Sequence, residues 1–209
     1  MNFYERAHKY LSNAIKKIFR IRVEGAENEP LEGGYLACAN HISLLDVLVM
    51  AVATQRQIQF MAKKELFDIP FLGKLITSLG AFPVDRKGNS VGSIKKSISI
   101  LESGGVVGMF PQGHRFSGKE LESTQNEIKG GAAMAVWHAK VPVLPMYIET
   151  KNARVRLFRP ITIHIGKPIE YADFSFEKGG SNEYDRGAKL IFDEIIALKN
   201  SSAAVEKNN

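Results

Sequence analysis

The chain has 209 residues, 44% hydrophobic and 24% charged, enough to bury one sizeable core in a single domain with an appendage. A net charge of +6 suits an anionic partner: nucleic acid, a membrane surface or a phosphorylated small molecule. Cys38 is the only cysteine, which excludes an intrachain disulfide and a cysteine-held zinc and fits a reducing compartment, the cytoplasm.

Residues 3–19 carry Phe3, Ala7, Leu11, Ile15 and Ile18 at helical spacing, while Arg6, Lys9, Lys16, Lys17 and Arg20 stand against Glu5 alone in residues 1–20. Two readings fit this pattern: an interfacial helix on an anionic bilayer, or a surface helix packed on its own domain. No apolar run reaches the ~18 residues of a membrane-spanning helix, and the charges at Glu5, Arg6 and Lys9 break up the apolar stretch of a signal peptide.

From Val23 onward, "GYLACA", "QIQFMA", "AFPV", "VVGMF" and "VPVLPMYI" read as mostly buried strands, with Pro83 at a sheet edge or strand end. Helical patterns at about 43–54, 70–79, 90–103 and 128–139 alternate with them. The stretch "ARVRLFRPITIHIGKPI" predicts one or two further strands, 182–199 a helix, and "SSAAVEKNN" a disordered tail. The expected fold is α/β, a mixed, largely parallel central sheet flanked by helices. Its expected divisions are an amphipathic membrane-interface helix at 1–22, an α/β domain at 23–200 and a tail at 201–209.

Within "CANHISLLDVLVM", His41 and Asp46 are two ionisable groups in an apolar run, where such groups are rarely buried without a partner. Five residues rotate roughly 140° around a helix, so the two cannot meet inside one. They can meet if a strand ends near Asn40, His41 occupies the turn, and Asp46 lies on the first turn of a helix capped by Ser43. "SLLD" also matches a capping box, in which Asp46 merely bonds back to the Ser43 amide. A capping role tolerates Glu at position 46; a carboxylate that orients an imidazole does not.

"NHISLLD" resembles the first motif of the glycerolipid acyltransferase family. "MAKKEL" followed by "FDIPFLG", then "GAFPVDR", "FPQGHR" and "VPVLPMYI", resemble its other segments in the family's order across residues 40–148. The resemblance implies transfer of an acyl group from acyl-CoA or acyl carrier protein to the free hydroxyl of a lysophospholipid such as 1-acyl-sn-glycerol 3-phosphate. His41 is then the general base and Asp46 the carboxylate that holds its tautomer. Arg115, Arg86 and Lys63 bind the acceptor phosphate and Gln112 and Gly113 contact the acceptor; Val141 to Ile148, for which a core strand is a sufficient reading, are candidates to line the acyl chain.

The absence of a GxSxG pattern agrees with a reaction that needs no covalent enzyme intermediate. The third motif departs from the family's Phe-Pro-Glu-Gly-Thr-Arg at Gln112 and His114. That departure keeps open another lysolipid acceptor, or a non-catalytic lipid-binding protein on the same fold. His8, His138 and His164 receive no role. The expected partners are a membrane phospholipid surface, the acceptor and the thioester donor. No bound cofactor, metal or nucleic acid is expected, and the protein is placed peripherally on the cytoplasmic face of the membrane.

Overall fold

The computed structural model of the chain describes residues 3–84, 91–115, 128–151, 155 and 158–206. In chain order the elements are α1 (Phe3–Ile18), β1 (Ile21–Glu24), β2 (Tyr35–Ala39), α2 (Asp46–Ala53), β3 (Ile58–Lys63), α3 (Leu72–Ser78) and β4 (Phe82–Val84). They continue with α4 (Val91–Glu102), β5 (Val106–Met109), α5 (Gly131–Ala139), β6 (Val143–Thr150), β7 (Ile161–Ile165) and α6 (Ser181–Glu206). The strands form one sheet in the order β1-β7-β6-β2-β5-β3-β4. Strands β6, β2, β5, β3 and β4 are mutually parallel, and β7 pairs antiparallel to β6 and parallel to β1.

Parallel strands need helical crossovers, and helices on both faces require strands that are apolar on both faces. The central strand β2, Tyr-Leu-Ala-Cys-Ala, meets that requirement and is buried throughout. Leu36 and Cys38 face a core completed by Val107, Val136, Ile191 and Phe192, under α4, α5 and α6. Tyr35, Ala37 and Ala39 face the opposite core with Val49 and Met50 of α2. Burial pushes the Cys38 thiol well above its ordinary pKa, which makes it a packing residue.

Two boundaries and one residue differ from the sequence expectation. Strand β1 begins at Ile21 and pairs with β7, so a division at 22/23 would cut through a strand. His164, which the sequence left without a role, bonds Glu149 at 2.8 Å and lies 3.1 Å from a Glu24 carboxylate oxygen, linking β1, β7 and β6. Helix α6 runs to Glu206, so residues 201–206 extend it instead of beginning the tail. Ser-Ser-Ala-Ala-Val-Glu contains no Gly or Pro, and adding residues to an existing helix avoids the cost of nucleation. Proline 83 does lie on an edge strand, β4, where a missing donor is tolerated.

The amino-terminal ends of the strands are tied by one buried carboxylate. Glu29 accepts from the Tyr35 hydroxyl at 2.8 Å and from the amides of Gln55 and Arg56 at 2.7 and 3.0 Å. Arg56 donates to the carbonyls of Pro30, Gly33 and Gly104 and sits 5.3 Å from the Tyr35 ring centroid. We predict that Glu29→Ala, which strands three donors, lowers unfolding free energy by about 2–3 kcal/mol. Urea denaturation checks this, and an unchanged midpoint would show the clamp to be dispensable.

Candidate active site

The backbone leaves the sheet immediately after β2, and the residues there compensate for what the sheet no longer supplies. Asn40, 1% exposed, donates through Nδ2 to the Ile148 carbonyl at 3.0 Å and accepts the Ile148 amide on Oδ1 at 2.7 Å. Its side chain acts as one more rung of the β2–β6 ladder while the main chain turns away. The next three amides are held by side chains. Gln112 Oε1 accepts from the His41 N–H at 3.0 Å, and Asp46 Oδ2 accepts from the N–H groups of Ile42 and Ser43, both at 2.7 Å.

That same Asp46 oxygen lies 2.8 Å from His41 Nδ1. Asp46 is 0% exposed, and its Oδ1 has no hydrogen-bond partner, so Oδ2 carries the whole arrangement. An ionised carboxylate only accepts, which makes Nδ1 the protonated nitrogen and leaves the distal Nε2 with a free lone pair. The two sequence readings of Asp46 are both realised on one atom. The expected cap is not: α2 begins at Asp46, Leu45 occupies the N-cap position, and Ser43 Oγ accepts from the Leu45 amide at 3.2 Å. The Ser43 amide turns toward Asp46 because the carboxylate is the stronger acceptor.

Phe110, at the end of β5, stacks on the His41 ring with centroids 4.0 Å apart and planes at 13°. Together they line a cavity of about 190 Å³ with Phe60, Met61, Val84 and Gly113. Phe60 also lines a larger apolar groove, about 440 Å³, bounded by residues of α1, α2 and α3 such as Leu11, Val47, Leu48 and Leu75. Gly108 permits this arrangement, since a Cβ there would overlap the Phe60 ring.

The structure sorts the remaining candidates. Gly113 has φ +71° and faces the cavity, with the Lys129 side chain over it: a Cβ on Gly113 would come within 3.2 Å of Lys129 Cδ. Gln112 is 0% exposed, accepts from the His41 amide and does not line the cavity. Lys63 and Arg115 are exposed at the carboxyl ends of β3 and β5, on the same edge of the sheet as His41, but neither lines the cavity. Arg86 lies outside the described residues. Val141 to Ile148 line neither cavity; six of the eight form the inner run of β6, buried between β2 and β7. Among the described residues no cluster of His, Cys, Asp and Glu could hold a metal.

The sequence reading passed over Asn40, Phe110 and Lys129. Asn40 and Phe110 stand inside quoted motifs, beside His41 and Pro111, and that adjacency was the available signal. Lys129 had none, because its place over Gly113 depends on a loop return visible only in space, anchored by its amide on the Pro111 carbonyl at 3.1 Å.

A histidine whose Nδ1 is tied to a buried carboxylate, at the carboxyl ends of parallel strands and beside an apolar groove, fits a group-transfer enzyme that activates a substrate's own nucleophile. The acyltransferase family model matches residues 20–149. A 1-acyl-sn-glycerol-3-phosphate acyltransferase from Bacillus subtilis is 33% identical over 175 residues, covering 80% of this chain and 85% of that protein. The protein of that name from Streptococcus pneumoniae is 37% identical over 143 residues, 66% of this chain and 51% of its own length. The crystal structure of the 1-acyl-sn-glycerophosphate acyltransferase PlsC from Thermotoga maritima superposes with a TM-score of 0.66 at 24% identity, covering 97% of this chain and 84% of that one, and shares the fold. The chain belongs to the acyltransferase family and is an acyltransferase.

Because one carboxylate oxygen serves the imidazole and two amides, Asp46→Glu should fail on both counts. We predict at least ~10²-fold loss of turnover together with about 1–3 kcal/mol of stability. Paired activity and denaturation measurements check this. Loss of stability alone would reduce Asp46 to a loop-holding residue.

Proposed function

We propose that this acyltransferase moves a fatty acyl group from an acyl thioester, on coenzyme A or acyl carrier protein, to the free hydroxyl of 1-acyl-sn-glycerol 3-phosphate, giving phosphatidate. The 2.8 Å contact between His41 Nδ1 and Asp46 Oδ2 carries this reading, and the names of the relatives support it. Nε2 takes the hydroxyl proton as the acceptor oxygen bonds to the thioester carbonyl carbon. The tetrahedral intermediate then expels the thiolate, which takes the proton from the imidazolium, so free thiol and an ester leave together. Asp46 stabilises the imidazolium while it exists.

The acceptor phosphate needs cations near the base. Lys129 packs over Gly113 of the cavity wall, Lys63 ends β3 and Arg115 follows β5 on the same edge of the sheet, and these are the cations we assign to the phosphate, with Arg86 a further candidate from the sequence. The groove joined at Phe60 suits an acyl chain, where each buried methylene is worth ~0.8 kcal/mol.

The same reading makes the protein a peripheral one on an anionic membrane at its cytoplasmic face. Around the groove, Tyr10, Leu11, Leu44 and Leu75 are exposed, and Phe71 projects with 88% of its surface free and φ +64°. Lys17, Lys63, Lys64 and Lys74 are exposed on the elements that carry this apolar surface or adjoin it. An apolar surface flanked by cations matches a lipid interface. None of the described helices is long and apolar enough to cross a membrane.

With liposomes, acyl-CoA and 1-acyl-sn-glycerol 3-phosphate, His41→Ala should cut thiol release by ~10²–10⁴-fold with unchanged circular dichroism. An alanine variant that keeps its rate removes His41 from the mechanism. Phe71→Asp, and separately removal of residues 1–20, should weaken co-sedimentation with anionic vesicles, and equal binding by both would count against the lipid surface.

A further inference from the structure

We propose that Gln112 is a positioning residue for the base, holding the main chain of His41 in register with the cavity, and that it does not contact the acceptor. The proposal rests on the reading of His41 as the proton acceptor. Gln112 lies two positions after Phe110, in the turn that follows β5, and His41 lies just past the end of the adjacent strand β2. The two positions are 71 residues apart in sequence, and the bond from the His41 amide to Gln112 Oε1 at 3.0 Å joins them.

Among the described residues, that bond is the side chain's entire hydrogen bonding. Gln112 is fully buried, and its Nε2 has no partner, so only the acceptor half of the amide is used. A residue meant to grip a lipid headgroup would present its donors to the cavity, and here Gly113 occupies the wall instead. Use of the oxygen alone makes the departure from the family motif compatible with this role. The His41 N–H requires an acceptor oxygen at the end of a side chain of this length, and Gln and Glu both provide one.

The other two amides of the loop are held by Asp46, which is itself part of the imidazole pair. Among the described residues, Gln112 is therefore the side chain that holds the His41 amide itself, independently of the catalytic carboxylate. Phe110 stacks on the ring from the same turn, so a shift of that turn would move both the ring's support and its backbone anchor. Displacements of ~1 Å at a reacting group can cost ~10²-fold in rate.

The test is steady-state kinetics on the full chain with acyl-CoA and 1-acyl-sn-glycerol 3-phosphate, comparing Gln112→Met, which keeps the volume without the acceptor, and Gln112→Glu, which keeps the acceptor oxygen. Gln112→Met should lower kcat by roughly 10–100-fold with the acceptor KM within about twofold, and Gln112→Glu should recover most of that rate. A raised acceptor KM at unchanged kcat in the Met variant would return Gln112 to acceptor binding and overturn the proposal, as would unchanged kinetics. Should the Met variant fail to fold, the Glu variant decides: retained kcat supports the tether, and lost kcat contradicts it. His41→Ala assayed alongside separates the two ideas, since activity in that variant would defeat the function itself, whatever Gln112 does.

Discussion

Three consecutive amides, at residues 41 to 43, emerge where strand β2 ends, and neither sheet nor helix offers them a carbonyl. The site depends on how they are satisfied. A buried N–H without an acceptor costs about 1–3 kcal/mol, so this loop would not keep a single shape without side chains that supply oxygens. Asp46 accepts two of the amides, Gln112 accepts the third, and Asn40 holds the turn to β6. The solution to a local folding problem thus places a carboxylate oxygen against the imidazole. Structure and chemistry share one atom, Asp46 Oδ2.

The second constraint is the sheet's direction. Because β2, β5, β3 and β4 run parallel, the segments after them converge on one edge. His41, Phe110, Gly113 and the Lys63 end of β3 meet there, although they span more than seventy residues of chain. The Glu29 and Arg56 clamp ties the opposite edge, so the end that carries the His41 cavity is free of that packing. Phe60 then connects the cavity at the histidine with the apolar groove of α1, α2 and α3, placing polar chemistry beside a surface suited to lipid.

Much of this was legible in the chain itself. Alternation of short apolar runs with helical patterns marks a parallel α/β sheet, and the five-residue interval between His41 and Asp46 places the two across a strand end. What failed to show depends on contacts between distant residues. Gln112 reads as an acceptor contact beside a turn glycine, and its burial and its bond to the His41 amide emerge only where β2 and β5 meet in space. Val141 to Ile148 is an apolar run that fits a pocket wall as well as a central strand, because hydrophobicity alone does not say which surface covers it. The early start of β1 was hidden by an edge strand whose alternate residues, Arg22 and Glu24, are polar. At the other end, the paired serines at 201–202 and the polar residues after Glu206 masked the continuation of α6.

Proton transfer at this site turns on the state of one ring. In full-length protein labelled with ¹⁵N-histidine, the resonances of His41, assigned by comparison with His41→Ala, report which nitrogen carries the proton of the neutral imidazole. A proton on Nδ1 with Nε2 unprotonated is the state that Asp46 imposes and that a base acting through Nε2 requires. A neutral ring protonated on Nε2 would contradict it, since that nitrogen could not accept the acceptor's proton and the bond to Asp46 would be lost.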